Sequence, residues 1–372
     1  MKYLIPLLLS LVITSVSAQQ PAISIAAKSY SLRDFQTGQV LASQNEHERI
    51  EPASLTKLMT AYVVFSAIKQ KRITLHQTVN VTENAWRMVG SRMFIEPNKP
   101  VTVDELMRGM IVQSGNDACV ALAEIVAGSE ESFAAIMNSE AKRLGMKNTH
   151  FTNSTGLPDP NLYSTADDLS ILANAIIHDF PEFYPLYSLK EYTYNNITQP
   201  NRNRLLWLDP HVDGMKTGWT KTAGYCLITS AIRDKRRLVS VVVGAKSANA
   251  RSIESQRLLN YGFQFYDTLH LYKKDDVLTT IGLWKGAQNT LKAGFDRDVY
   301  FSILKGQADK LKVTMEYKQP LIAPILIGQE VGSVKFTMNG ETIETYPLVA
   351  LEKVDTANIF GRTLDSIKLL FN

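Results

Sequence analysis

The segments GYCLITSAIR and RRLVSVVVGA are separated only by Asp234 and Lys235. So short a link between two apolar, β-branched runs permits one arrangement, an antiparallel hairpin, because a parallel return needs a crossover of a dozen or more residues. Arg233, Lys235, Arg236 and Arg237 cluster at this point as the charges of a turn. Near the other end of the first domain, KSYSLRDFQTGQVLASQN reads as two more strands about a turn at residues 36–38. Between these strand pairs the apolar spacing is helical. TVDELMRGMIVQSGNDACVALAEIVAG gives two helices, the first opened by Thr102 with Glu105 three residues on, a capping box. SEESFAAIMNSEAKRLGM gives another, TADDLSILANAIIHD opens with Thr165 and Asp168 in the same capping arrangement, and ANARSIESQRLLNYGFQFY closes the region. Strand pairs flanking a helical middle imply an α+β fold, an antiparallel sheet covered by helices.

The pattern changes after Asp267. LKVTMEY alternates strictly, and VKFTMNGETIETY carries an Asn339–Gly340 turn between alternating runs. Residues 268–355 are therefore expected to form a small β-rich domain, with no catalytic cluster in it. In the last segment, 356–372, Phe360, Leu364, Ile367 and Phe371 recur at helical spacing opposite Arg362, Asp365 and Lys368. Such a helix either lies weakly in a membrane interface or docks on its own domain or a partner. At the other end, Lys2, an apolar run and VSA ending at Ala18 read as a secretory signal over residues 1–18, the alternative being an uncleaved anchor, for which the run is short. The mature first domain is then 19–267, outside the cytoplasm, and without a cysteine at the cleavage site a lipid anchor is not indicated.

Composition excludes more than it identifies. A net charge of +4 on 372 residues, with no dense basic block, gives no support to nucleic-acid binding. The six histidines show no ligand spacing, so neither a metal nor another cofactor is expected. Cys119 and Cys226 lie in apolar patterns and read either as a disulfide of an oxidising compartment or as two buried thiols.

The chemistry lies in short strings. In EPASLTKLMT, Pro52 suits the first turn of a helix, which places Ser54 and Lys57 on one face of its start. The positive end of the helix dipole disfavours a protonated amine, and a neutral lysine activates a serine hydroxyl. Ser-x-x-Lys alone is weak, since it also begins at Ser66, Ser139 and Ser302. The order of motifs is stronger: Ser54-x-x-Lys57, then Ser114-Gly-Asn116 sixty residues on, then Lys216-Thr217-Gly218 a further 102 residues on. That order is the general pattern of penicillin-binding proteins and class A β-lactamases.

Through these strings, and through LGMKNTHFTNSTGLPDPNLYSTADDL and VDGMKTGWTKTAGYCL, the chain resembles the low-molecular-mass penicillin-binding proteins that are D-alanyl-D-alanine carboxypeptidases. The resemblance spans nearly the whole chain and implies a penicillin-binding/β-lactamase-like domain, a β domain and a terminal membrane-surface helix. It implies a periplasmic enzyme at the outer face of the inner membrane that removes the terminal D-alanine of peptidoglycan stem pentapeptides. β-Lactams would be its covalent inhibitors. Ser54 would be the nucleophile, Lys57 its base with Lys216 depressing its pKa, Ser114 a proton relay, and Asn116 a donor that also orients Lys57. The resemblance places the oxyanion hole at the backbone N–H groups of Ser54 and Trp219, and the substrate carboxylate on Thr217, beside Gly218, and on Arg251. Trp219 departs from members with a smaller or polar residue there. The rival readings are a serine β-lactamase, against which no Glu-x-x-Asn string stands between the second and third motifs, and a catalytically silent wall-binding scaffold. An endopeptidase on cross-linked wall remains a variant of the main reading.

Overall fold

The computed structural model describes residues 22–369, so the expected signal peptide, residues 1–18, lies outside the described residues. The paired apolar runs build one wholly antiparallel five-stranded sheet. Its strands are β1 (Ser29–Asp34), β2 (Val40–Gln44), β3 (Val212–Thr220), β4 (Gly224–Arg233) and β5 (Arg236–Ala245), in the spatial order β2-β1-β5-β4-β3. The early pair joins the late ones where Leu32 sits opposite Ser240. At the β4–β5 turn, Asp234 and Lys235 both take positive φ, +49° and +66°. A two-residue link needs that geometry to match the twist of the strands it joins.

Both faces of this sheet are covered. Cys226, Ile228, Val239, Val241 and Val243 pack under α1 (Lys57–Lys69), α2 (Val103–Val112), α3 (Asn116–Ala127), α4 (Glu130–Leu144) and α5 (Ala166–Asp179). Leu227, Leu238 and Val242, alternating with them, pack with Leu32 against Leu258 and Leu259 of α6 (Ala248–Phe265). The period-two pattern thus feeds two cores. Helix α1 runs between the other helices and is buried at every residue from Lys57 to Phe65, so its apolar residues surround it.

The caps are locally specified. Thr102 and Glu105 form the full reciprocal box at α2. At α5 the expected box is only half made: Thr165 Oγ1 accepts from Asp168 N at 3.0 Å, but the Asp168 carboxylate is taken elsewhere. It accepts from Asn148 N at 2.8 Å and Thr149 Oγ1 at 2.7 Å, because that loop brings its own orphan donors to the helix start.

Helix α6 runs directly into β6 (Tyr266–Tyr272) and the second sheet system. The further strands are β7 (Val277–Trp284), β8 (Thr290–Gly294), β9 (Val299–Leu304), β10 (Leu311–Tyr317), β11 (Leu321–Ile322), β12 (Glu330–Met338) and β13 (Glu341–Ala350). Six of them order as β10-β12-β13-β8-β7-β11, while β6 pairs with β9. Asn339 and Gly340 turn β12 into β13 with φ of +52° and +88°. The core here is separate from the first two and centres on Phe295, Phe301 and Phe336, the last two stacked at 4.9 Å. Asp34, buried at the end of β1, ties the regions together by accepting from Arg236 Nε at 3.0 Å and from Thr268 Oγ1. The chain ends in α7 (Ile359–Lys368), whose Asp365 carboxylate accepts from Lys285 N at 2.7 Å. Ile359 and Phe360 are exposed, and Phe371 lies outside the described residues.

Candidate active site

The first turn after Pro52 is a 3₁₀ turn, Ala53–Thr56, which α1 continues. Ala53 holds φ +48°, a left-handed conformation that a residue with a side chain adopts only under pressure from its surroundings. Two glycines supply that pressure at close range. A Cβ on Gly156, itself at φ +80°, would lie 1.8 Å from Ala53 O, and one on Gly218 would lie 3.2 Å from Pro52 O. The 153–157 loop and strand β3 therefore press on the turn that carries Ser54.

Lys57, the first residue of α1, is 1% exposed. Its Nζ lies 3.1 Å from Ser54 Oγ, 2.7 Å from Asn116 Oδ1 and 2.5 Å from Thr155 O. An ammonium donates to all three. A neutral amine donates to Asn116 and Thr155 and keeps its lone pair for the Ser54 hydroxyl. Burial holds the Lys57 pKa below the ordinary lysine value, with the Arg202 charge acting in the same direction. The chief cause is therefore desolvation, where the helix dipole with help from the Lys216 charge was expected. Lys216 is also buried, on β3, and burial pushes it well down, with the Lys57 charge next.

Lys216 Nζ donates to Ser114 Oγ at 2.9 Å and to Thr217 O at 3.0 Å. Ser114 sits at φ +63° in the tight turn between α2 and α3, and Asn116 opens α3. That turn is fastened from outside: Asn116 N donates to Ser91 O at 2.7 Å and Asn116 Nδ2 to Val89 O at 2.6 Å. The Asp117 carboxylate accepts from Met93 N at 2.9 Å and Phe94 N at 2.8 Å. Two amine–hydroxyl pairs thus face one cleft of about 770 Å³, lined also by Thr217, Gly218, Trp219 and Arg251. Arg251, from α6, donates through Nη1 to Gly218 O at 3.2 Å, and its Nε has no partner among the described residues. Trp219 stands at the rim, 55% exposed, with its ring 5.9 Å from that of Tyr225.

All the residues singled out by sequence, Ser54, Lys57, Ser114, Asn116, Lys216, Thr217, Gly218, Trp219 and Arg251, reach this cleft or its wall. Four others were missed. Asp117 follows Ser-Gly-Asn directly, and that adjacency was the available clue, whereas its grip on the Met93 and Phe94 N–H groups shows only in the fold. Thr155 acts through its carbonyl and Gly156 through the lack of a side chain, roles that single residue types do not advertise. Arg202, a cleft-lining cation whose pKa burial lowers, stands in an ordinary loop string with no signal at all. Both cysteines are buried free thiols, which removes the disulfide alternative. Burial pushes Cys119 up to about 12, so it stays neutral beside the lysines.

The profile of the D-alanyl-D-alanine carboxypeptidase family matches residues 14–247, and that of the penicillin-binding protein 5 C-terminal domain matches 266–356. The chain is 44% identical over 369 residues to D-alanyl-D-alanine carboxypeptidase DacC of Escherichia coli K12, covering 96% of this chain and 92% of the relative. Penicillin-binding protein 5 of Haemophilus influenzae superposes with a TM-score of 0.87 at 40% identity, over 90% of this chain and all but 1% of that one, 99%. Penicillin-binding protein D2 of Listeria monocytogenes, in its ampicillin-bound form, matches with a TM-score of 0.61 at 30% identity, over 66% of this chain and 100% of that one.

Proposed function

The chain belongs to the D-alanyl-D-alanine carboxypeptidase family, and within that activity we propose that Ser54 is the nucleophile of a two-step acyl transfer. One observation carries the assignment: the Lys57 amine is buried, shifted toward neutrality and 3.1 Å from Ser54 Oγ. Lys57 takes the hydroxyl proton as Oγ attacks the carbonyl of the penultimate D-alanine. The oxyanion is held by the backbone N–H groups of Ser54 and Trp219, and Asn116, held against Lys57, keeps that amine aimed. Lys57 passes that proton on through the Ser114 hydroxyl, which Lys216 holds, to the departing nitrogen, so free D-alanine leaves, Lys57 is neutral again and the acyl group stays on Oγ as an ester. Water then attacks that ester with Lys57 as base, restoring Ser54. Thr217 and Arg251, at the cationic end of the cleft beside Gly218, take the terminal carboxylate.

A β-lactam presents the same carboxylate and a strained amide, and the reading makes it a trap for Ser54, supported by the ampicillin-bound relative. The cleft-lining residues include no Asp or Glu, which counts against a glutamate-assisted β-lactamase. We assign catalysis to residues 19–267, with 268–355 as a β-rich platform. The segment 356–372 is assigned as a weak anchor to the outer face of the inner membrane. Exposed Ile359 and Phe360 on α7 support that attachment, and no helix among the described residues is long and apolar enough to cross a membrane. The test is release of D-alanine from a peptide ending in D-Ala-D-Ala. Release that penicillin blocks and Ser54→Ala abolishes is expected; release that persists in Ser54→Ala removes the assignment.

A further inference from the structure

Strand β10 is an edge of the six-stranded sheet and pairs with β12 alone. Its register runs from Leu311 opposite Met338 to Tyr317 opposite Gly332 without a bulge, and it contains no proline. Long regular edges of this kind are templates for another strand unless they are shortened, kinked or covered. The opposite edge of the same sheet is shortened, since β11 has two residues. Here the apolar face runs on to the edge uncovered. Val313 and Met315 lie opposite buried Phe336 and Val334 and so on the core side, yet they are 38% and 42% exposed.

The backbone polarity of this edge follows from its pairing. Lys318 N donates to Val331 O directly across from it, and Thr337 Oγ1 reaches Lys312 O at 3.5 Å. The even-numbered residues therefore spend their backbone groups on β12. By alternation, Val313, Met315 and Tyr317 turn their N–H and C=O groups to the open side, as Leu311 turns its C=O, while the Leu311 N–H closes the preceding turn on Ala308 O. The side chains carry a further regularity: in LKVTMEY a lysine stands two residues before Thr314 and a glutamate two residues after it.

We propose that β10 is a homodimer interface, on which β10 of a second copy adds antiparallel about a two-fold axis at Thr314. In that register Leu311 meets the partner's Tyr317 and Val313 meets the partner's Met315. Val313 and the partner's Met315 thus exchange two backbone hydrogen bonds, and Leu311 O accepts from the partner's Tyr317 N–H. Lys312 meets the partner's Glu316 at the non-hydrogen-bonded positions, where side chains approach most closely. Shifting by one residue sets outward groups against spent ones. Shifting by two parts Lys312 from Glu316, in one direction setting Lys312 against the partner's Lys318 and in the other leaving Lys312 against Thr314 and offering Glu316 only Lys310, which precedes the strand in a 3₁₀ turn. Glu316 already accepts from Lys335 at 2.6 Å through Oε1, which leaves its other oxygen for the partner. One strand pair is a small interface, so association depends on protein concentration.

The test is sedimentation of the full mature chain over a range of concentrations, with circular dichroism and denaturant unfolding as the check that the β region of each variant is folded. K312E and E316K each set like charges opposite one another, and each should weaken the dimer about tenfold or more. An equimolar mixture of the two restores opposite charges at both ends and should recover the wild-type dimer. Thr314→Cys, on the axis at a close-approach position, should cross-link to a covalent dimer under mild oxidation. A wild-type chain that stays monomeric while Thr314→Cys fails to cross-link overturns the proposal. So does a dimer insensitive to both charge reversals, and a mixture that stays monomeric overturns the register.

Discussion

The catalytic region and the β-rich region are both organised around antiparallel sheets, yet they bury opposite kinds of residue. Among the described residues beyond 265 the buried polar and charged set contains only Gln307, whereas the region before it buries Lys57, Lys216, Ser114, Asn116, Asp117, Thr217 and Arg251 among many others. The β region uses its interior for stability alone. The catalytic region holds two amines where water cannot solvate their charge, an arrangement unfavourable to folding that lowers both pKa values. Perturbed titratable groups gathered in a cleft mark function, and the comparison shows where this molecule accepts that cost.

The sharpest way to break the contrast is to remove one amine. Lys57→Met keeps the volume and deletes the proposed base, and kcat/KM for D-alanine release is expected to fall about 10⁴-fold. The melting temperature should stay within a few degrees, since an apolar replacement for a buried ionisable group is commonly neutral or stabilising. Wild-type turnover in Lys57→Met would remove it from the mechanism.

Phe336→Ala probes the other region. Its ring is fully buried and packs on Phe301 at 4.9 Å, so truncation is expected to destabilise the β region by about 3–5 kcal/mol. The kcat should not change, because none of the cleft residues comes from beyond Arg251. Denaturant unfolding followed alongside activity checks this; joint loss of both would mean that the regions are energetically one.

The two regions also differ in how much of them the sequence discloses. The hairpins at Asp234–Lys235 and Asn339–Gly340 were legible because each joins alternating apolar runs by a link too short for anything else. The Thr102–Glu105 cap was legible because both partners are local. The half-box at Thr165 was not, since what takes Asp168 is a loop some twenty residues away. At the cleft, the serines and lysines stood out through the order of their motifs. Arg202, the Thr155 carbonyl and the Gly156 contact became visible only when the chain placed them against Ala53 and the two lysines. The source of the Lys57 shift was likewise hidden, because burial depends on the whole packing of α1 and not on any neighbouring residue.

A smaller effect follows from titration. In the unfolded chain both lysines take the ordinary value of 10.5, while in the fold both are lowered. Below the lowered values both states carry the proton and the full penalty of burying charge is present. Between the lowered values and 10.5 the unfolded chain binds more protons, so stability rises with pH across that window. Chemical denaturation of wild type against Lys57→Met should show this rise diminished in the variant. Acylation by penicillin should rise with pH through the same lowered value, since only the neutral amine accepts the Ser54 proton. An acylation rate flat in pH would mean that Lys57 is not the titrating base.

The smallest expected effect on chemistry comes from deleting residues 357–372. The contacts this removes include Ala357 N to Lys285 O at 2.8 Å and Lys285 N to Asp365 Oδ2 at 2.7 Å, both on the β region and none at the cleft. Each such bond contributes about 1 kcal/mol, so the β region should lose little stability and D-alanine release should be unchanged. Exposed Ile359 and Phe360 leave with the segment, and with them the surface assigned to the membrane. Flotation with vesicles of phosphatidylethanolamine and phosphatidylglycerol should therefore separate the two forms, the full mature chain rising with lipid and the truncated chain staying behind. Equal flotation of both would return α7 to the alternative it began with, a helix docked on its own domain.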